Sequence, residues 1–253
     1  ISNPSAPALK SILDTTDATG VYVSGRYAYV ADGAAGLRII DISNPSDSTL
    51  KSTLDTGNAI DIYVSGRYAY VADGTGGLRI IDISNPSAPT LKSTLTFPSG
   101  GGTLRSATGI YVSGRYAYVT GTAISLSALI IIDISNPSVP VLKSQLTALT
   151  NPQDVYVSGR YAYITDGTAG LRIIDVSNPS SPVLKSTLDT ADNALGIYVS
   201  GRYAYIVDNT AGLKIIDISN PIAPVLKSTL DTTAADGIHV SGRYAYIADG
   251  AAG

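Results

Sequence analysis

The chain has 253 residues, a formal net charge of −3, 44% hydrophobic and 15% charged residues. That is enough apolar content for a sizeable core, and too little charge for a disordered chain or a phosphate-backbone binder. It has no Cys, no Met, no Trp and one His, and all 20 acidic residues are Asp. Disulfides, thiolate metal sites, thiol catalysis and multi-histidine sites are therefore excluded.

The chain opens at Ile1, as a processed form or a fragment does. Ala8 to Leu13 reads as a strand, and the first complete unit follows it. GVYVS (20–24) is a short β-rich run, and Gly25-Arg26 is a tight hairpin turn. RYAYVA (26–31) alternates aromatic and small residues as a second strand, closed by the glycine-rich turn DGAAG (32–36). LRIIDI (37–42) is a third strand, apolar on both sides of its pleat, and Ser43-Asn44-Pro45 interrupts it. TLKSTL (49–54) is a fourth, with Leu50, Ser52 and Leu54 on one face. Helical periodicity is absent throughout.

This unit recurs. SGRYAY begins at Ser24, Ser65, Ser113, Ser158, Ser200 and Ser241, at intervals of 41 to 48 residues. The third-strand block begins at Leu37, Leu78, Leu129, Leu171 and Leu213. Four short antiparallel strands in about 41 residues make one propeller blade. The expected fold is all-β: residues 1–253 form a single six-bladed β-propeller, with four antiparallel strands per blade and the N-terminal strand completing the last blade. Each unit offers three Tyr slots, and 17 of the 18 hold Tyr; His239 fills the other.

LRIIDISNPSAP, followed by LKSTLDT and IYVSGRYAYVADG, resembles the LVIVD-repeat family. The resemblance covers essentially the whole chain and departs at the second motif position, which holds Arg, Lys214 or Ile130. It implies a β-propeller in a bacterial or archaeal surface protein, hence an extracellular or cell-surface location, and brings no shared catalytic residues.

Six copies of the first two strands and of the fourth are present, but only five of the third. The chain stops at Gly253, where LRIID should follow, and starts at Ile1-Ser2-Asn3-Pro4, just after such a block. Three readings stand: further residues lie beyond the given sequence, a neighbouring chain donates the strand, or the gap is tolerated. Head-to-tail donation generates a filament.

Turns sort by face. The SGR and SNP segments share one face and hardly vary among the copies. The opposite face carries the Asp-Gly turns and the variable loops 14–20, 55–61, 96–109, 120–128, 147–154, 189–196 and 231–237. Loops on a rigid scaffold are where binding concentrates. Candidate ligand or partner residues there are Phe97, Arg105, Asn151, Gln153 and Asp154. Phe97 also reads as a loop anchor and Arg105 as a solvated cation. Asp32, Asp73, Asp166, Asp208 and Asp249 begin glycine turns: as a circle of acids they suit Ca²⁺, and as Asp before Gly they suit ordinary turn hydrogen bonding. Asp41, Asp82, Asp133, Asp175 and Asp217 read as acceptors for the following Ser-Asn-Pro turn.

The expectation is a non-catalytic extracellular interaction or structural module whose partner is a protein, a surface glycan or another copy of itself. It has no cofactor, metal, nucleic-acid partner, catalytic residue or membrane span. The alternatives are a self-assembling subunit of a filament or sheath, and a carbohydrate-binding or carbohydrate-active protein.

Overall fold

The computed structural model describes residues 6–97, 106–122 and 127–250. Twenty-two strands form six antiparallel sheets, numbered here as blades 1 to 6. Blade 1 contains β1 (Ala18–Ser24), β2 (Tyr27–Asp32), β3 (Leu37–Asp41) and β4 (Thr49–Leu54). Blade 2 contains β5 (Asp61–Ser65), β6 (Tyr68–Ala72), β7 (Leu78–Asp82) and β8 (Thr90–Leu95). Blade 3 contains β9 (Ser106–Ser113), β10 (Tyr116–Thr122), β11 (Ser127–Asp133) and β12 (Val141–Leu149). Blade 4 contains β13 (Asp154–Ser158), β14 (Tyr161–Thr165), β15 (Leu171–Asp175) and β16 (Val183–Leu188). Blade 5 contains β17 (Ile197–Ser200), β18 (Tyr203–Val207), β19 (Leu213–Asp217) and β20 (Val225–Leu230). Blade 6 contains β21 (Ala235–Ser241) and β22 (Tyr244–Asp249).

Within each complete blade the strands pair in sequence order. The hairpin from the first strand to the second turns on a glycine in the left-handed region, such as Gly25 at φ 59°. The bare positions around these turn glycines confirm that conformation, not crowding, requires them.

Packing between blades follows from the two-sided third strand. Leu37 and Ile39 join Tyr29 and Ala31 against Ile62, Val64, Ala69, Val71 and Ile81 of blade 2. Ile40 points the other way, into a cluster with Ala28 and Val30. The same interlock recurs between blades 2 and 3, 3 and 4, and 4 and 5. The register slips between Ile39 and Ile40 and at every equivalent pair, a bulge that adds twist at the outer edge. The outer strands of blades 1 to 4 also dock on the next blade, each through one serine. Ser52, Ser93, Ser144 and Ser186 donate to the carbonyls of Pro86, Pro137, Pro179 and Pro221 at 2.6–2.7 Å.

The last sheet departs from the expected architecture. Among the described residues it has two strands, and Ala8 to Leu13 pair with no strand. The reason is geometric: a fourth strand can join a blade only through a third, and no described segment lies between β22 and these residues. Even so, Ser11 donates to the carbonyl of Pro45 at 3.0 Å, and Leu13 packs on blade 1. These are the contacts that Ser52 and Leu54 make with blade 2.

Candidate functional site

The first strand of each blade lines the central axis, so one edge of its backbone has no neighbouring strand within its own sheet. Two carboxylates meet this exposed edge. Asp61 accepts the N–H of Ile62 at 2.8 Å and, from the next blade, the N–H of Ile110 at 2.8 Å. Asp154 repeats the arrangement, accepting from Val155 at 2.7 Å and from Ile197 of the next blade at 3.0 Å. Each aspartate thus satisfies an inner donor of its own blade and one of its neighbour, and together the two serve blades 2 to 5.

Sterics explain why the blade before each aspartate carries glycine. The equivalent position is Gly20, Asp61, Gly109, Asp154, Gly196 and Gly237. A Cβ on Gly109 would come within 2.9 Å of the Asp154 Cα and the Gln153 carbonyl, and one on Gly20 within 3.0 Å of the Asp61 Cα. In these two pairs the inner strands approach too closely for both to carry a side chain at this position. Burial pushes the Asp61 carboxyl up to about 6. It pushes Asp154 up to about 7, with the charge of Asp61 adding to the effect. The backbone donors oppose the shift in both cases.

Two residues further along each strand lies the aromatic slot. Tyr22, Tyr63, Tyr111, Tyr156, Tyr198 and His239 follow one another around the axis, with successive ring centroids 4.6–5.0 Å apart. Burial and the neighbouring Tyr63 push the Tyr22 phenol up to about 12. Burial, then hydrogen bonding and charge from Tyr156, drives Tyr111 in the same direction.

A cavity of about 670 Å³ opens on the variable-face side of this arc, touched by residues in or just before the inner strands of all six blades. One residue before the Gly/Asp position, its wall carries Thr19, Ile60, Thr108, Gln153, Leu195 and Asp236. No two adjacent blades present the same residue there. The cavity also reaches Val21, His239 and Tyr246, where blades 6 and 1 face each other.

Of the residues singled out from the sequence, Asp154 and Gln153 lie on this cavity. The Gln153 amide donates to the Asn151 carbonyl at 3.1 Å, and the Asn151 N–H donates to Asp166 at 2.8 Å, placing Asn151 behind the wall. Phe97 is 8% exposed and packs between blades 2 and 3 with Leu95, Ala107 and Ile130, away from the cavity. Arg105 lies outside the described residues. Asp61 was missed; its one signal is the Gly/Asp alternation two residues before the aromatic slot.

The Asp-Gly turn carboxylates point into the blades. Asp32 receives the N–H groups of Thr16 and Asp17 and an ion pair from Arg38. Asp73 receives Asn58 and Arg79, and Asp166 receives Thr150, Asn151 and Arg172. Asp208 receives Thr190 and Asp192, and Asp249 receives Thr233 and Ala234. Among the described residues no three His, Cys, Asp or Glu side chains are placed to share a metal ion. On the opposite face, Arg26, Arg67, Arg115, Arg160 and Arg202 pair with Asp41, Asp82, Asp133, Asp175 and Asp217 and lie over the next tyrosine ring. The guanidinium and the following serine hold these carboxyls well below the usual carboxylate range.

The LVIVD repeat matches residues 1–15, 16–56, 56–96, 104–148, 151–190, 191–232 and 234–253. The chain belongs to the LVIVD-repeat family. No curated protein matches the sequence at a significant level. The LVIVD chain is similar in fold to the periplasmic gluconolactonase PpgL of Pseudomonas aeruginosa: TM-score 0.79, 13% identity, covering 96% of this chain and 81% of that one. It is similar to the β-propeller domain of Myceliophteria thermophila Swd1, with TM-score 0.66 and 13% identity over 87% and 76% of the two chains. A chain of the mitotic checkpoint complex gives TM-score 0.75 and 15% identity over 92% and 74%. The fold of this family member is therefore a β-propeller. With 724 solved chains matching, the likeness identifies a fold and not an activity. No helix among the described residues is long and apolar enough to cross a membrane.

Proposed function

We propose that this LVIVD-repeat chain is a non-catalytic, extracellular or cell-surface binding module that holds its ligand at the variable-face mouth of the central channel. The ring it forms has six blades, with Ala8 to Leu13 as the outer strand of the sixth; the Ser11 and Leu13 contacts support that placement. The observation that carries the binding reading is the cavity wall itself. Around an otherwise repetitive scaffold, it presents a different side chain from each pair of neighbouring blades. Polar Thr19, Thr108, Gln153 and Asp236 beside apolar Ile60 and Leu195 suit a hydroxyl-bearing ligand such as a glycan, or a protein loop. Solved relatives of this fold within a protein complex support the protein alternative.

A carbohydrate-active reading rests on Asp61 and Asp154, because two carboxyls with raised pKa in one cavity are an enzyme signature. Against it, both oxygens of each carboxyl are already engaged by backbone N–H groups. This fits a structural staple better than a proton donor to substrate. The test is a glycan and surface-protein array, probed with the wild type and with Gln153→Ala and Asp236→Ala. Binding that weakens in both variants supports the reading, and a blank array with turnover of lactones or glycosides overturns it.

A further inference from the structure

The chain lacks the side chains that oxidants usually attack first. It has no Cys, no Met and no Trp, which leaves its 17 Tyr and one His to a one-electron oxidant. Five of those tyrosines stand in contact. The rings of Tyr22, Tyr63, Tyr111, Tyr156 and Tyr198 follow one another from blade 1 to blade 5, with successive centroids 4.6–5.0 Å apart and planes inclined at 45–55°. Among the described residues the other tyrosine pairs are Tyr27–Tyr29 and Tyr161–Tyr163, each within one strand, edge-on and 6.4–6.5 Å apart. Only in the arc, among these pairs, do tyrosine rings of different blades meet. Each of the five is part-exposed, so solvent reaches it.

The phenols are also linked to one another. Hydrogen bonding joins Tyr22 to Tyr63, Tyr111 to both Tyr63 and Tyr156, and Tyr156 to Tyr198. A phenol that loses an electron must shed its proton, and the neighbouring phenol oxygen is there to accept a hydrogen bond from it. The closest pair is Tyr111 and Tyr156, at 4.6 Å and with the smallest interplanar angle, 45°.

We infer that the arc is a site of oxidative tyrosine–tyrosine coupling that joins neighbouring blades covalently, first between Tyr111 and Tyr156. The co-reactant is a small one-electron oxidant. Two equivalents remove one electron and the O–H proton from each of two adjacent phenols. Each phenoxyl radical carries spin on the carbons ortho to its oxygen, and one such carbon from each ring forms a C–C bond. Each bonded carbon then releases its hydrogen as a proton, while each oxygen takes a proton back. The product is a biphenol with two hydrogens fewer than the starting pair, and two equivalents of oxidant are reduced. In a chain without cysteine, such a bond closes one repeat onto the next as a disulfide would. The inference does not depend on what binds at the channel mouth.

The probe is azidyl radical, a one-electron oxidant of phenols, generated by radiolysis of azide solution containing the dilute 253-residue chain. Trypsin cuts after the arginine of each SGR turn, so every arc tyrosine leaves on a peptide apart from the two tyrosines that follow it. The expected product is a fluorescent monomer lighter by two hydrogens, whose digest joins 106–115 to 144–160. A lesser product joins 11–26 to 52–67. The cross-linked monomer should melt roughly 5–15 °C higher, because the bond removes entropy from the unfolded chain. Tyr111→Phe keeps the ring and removes the phenol: the 106–115 to 144–160 product should disappear and the 11–26 to 52–67 product should remain. Tyr68→Phe, outside the arc, should change neither. Equal yields of the same products from the chain unfolded in urea overturn the proposal. So do coupling mainly through tyrosines outside the arc, coupling only between separate chains, and oxidation that adds oxygen without removing hydrogen pairs.

Discussion

Blades 2 and 3 are copies of one unit, yet they handle charge on the variable face in opposite ways. In blade 2, Asp73 is 1% exposed and is held by the Arg79 guanidinium at 2.7 Å and the Asn58 N–H. In blade 3 the corresponding positions are Gly121 and Ile130, and Ile130 is 1% exposed in the apolar core between blades. Both members of the pair are gone together. A buried carboxylate without its cation, or the reverse, leaves an uncompensated charge out of water, whereas removing both leaves an apolar interior. Asp32, Asp73 and Asp166 therefore behave as halves of structural pairs and not as members of a free acidic ring.

The sharpest way to break this comparison is to remove one half in blade 2. Arg79→Ile should cost about 3–5 kcal/mol in urea unfolding, and the further change Asp73→Gly should recover most of that loss. No recovery in the double variant would show that the pair is held by something other than mutual neutralisation. Next in size is the channel staple. Asp61→Ala leaves the N–H groups of Ile62 and Ile110 without their acceptor and should cost about 2–3 kcal/mol. The same change at the solvated Asp47 should cost almost nothing.

Gly109→Ala is expected to cost about 1–3 kcal/mol, since its Cβ would press on the Asp154 Cα and the Gln153 carbonyl. Gly237→Ala, with only the Ala248 Cβ at 3.7 Å, should be tolerated.

A pH titration of thermal stability separates the two populations of carboxylates by sign. Asp61 and Asp154, pushed up to about 6 and about 7, hold protons that the unfolded chain has already released. Their contribution to stability therefore grows as pH falls from about 7 toward the ordinary carboxylate range. Asp41, Asp82, Asp133, Asp175 and Asp217 are shifted the other way. Their contribution is present above the ordinary range and is lost as pH falls below it. The melting temperature should rise on mild acidification and then fall. Asp154→Asn should flatten the rise and leave the fall intact. The smallest effect belongs to Arg26→Ala, whose exposed guanidinium should shift the melting curve barely above measurement error.

The strands, the hairpin glycines and the sorting of turns by face were legible from the repeat, because period-2 patterning and turn chemistry are local. The two-sided burial of Leu37, Ile39 and Ile40 was also legible, from a run apolar on both sides of its pleat. Phe97 shows the limit of such reading: a lone aromatic in a long loop reads equally as anchor or platform, and only the fold places it in the core. Asp61 and Asp154 show it more plainly. Nothing near either residue in sequence reveals that each reaches an N–H of the following blade, some 40 to 50 residues away.

The amino-acid sequence by itself determined the repeating unit, its all-β character, the family and the absence of cysteine chemistry, since these depend on composition and on contacts within one unit. Tertiary structure decided the rest. It brought Asp61 and Asp154 to one channel and set them against glycines that the approach of neighbouring blades demands. Among the described residues it also left Val21 and Val23 of blade 1 exposed where their equivalents in blades 2 to 5 are buried. Those outcomes depend on how one copy meets the next, and copies of a nearly constant sequence differ physically only where their neighbours differ.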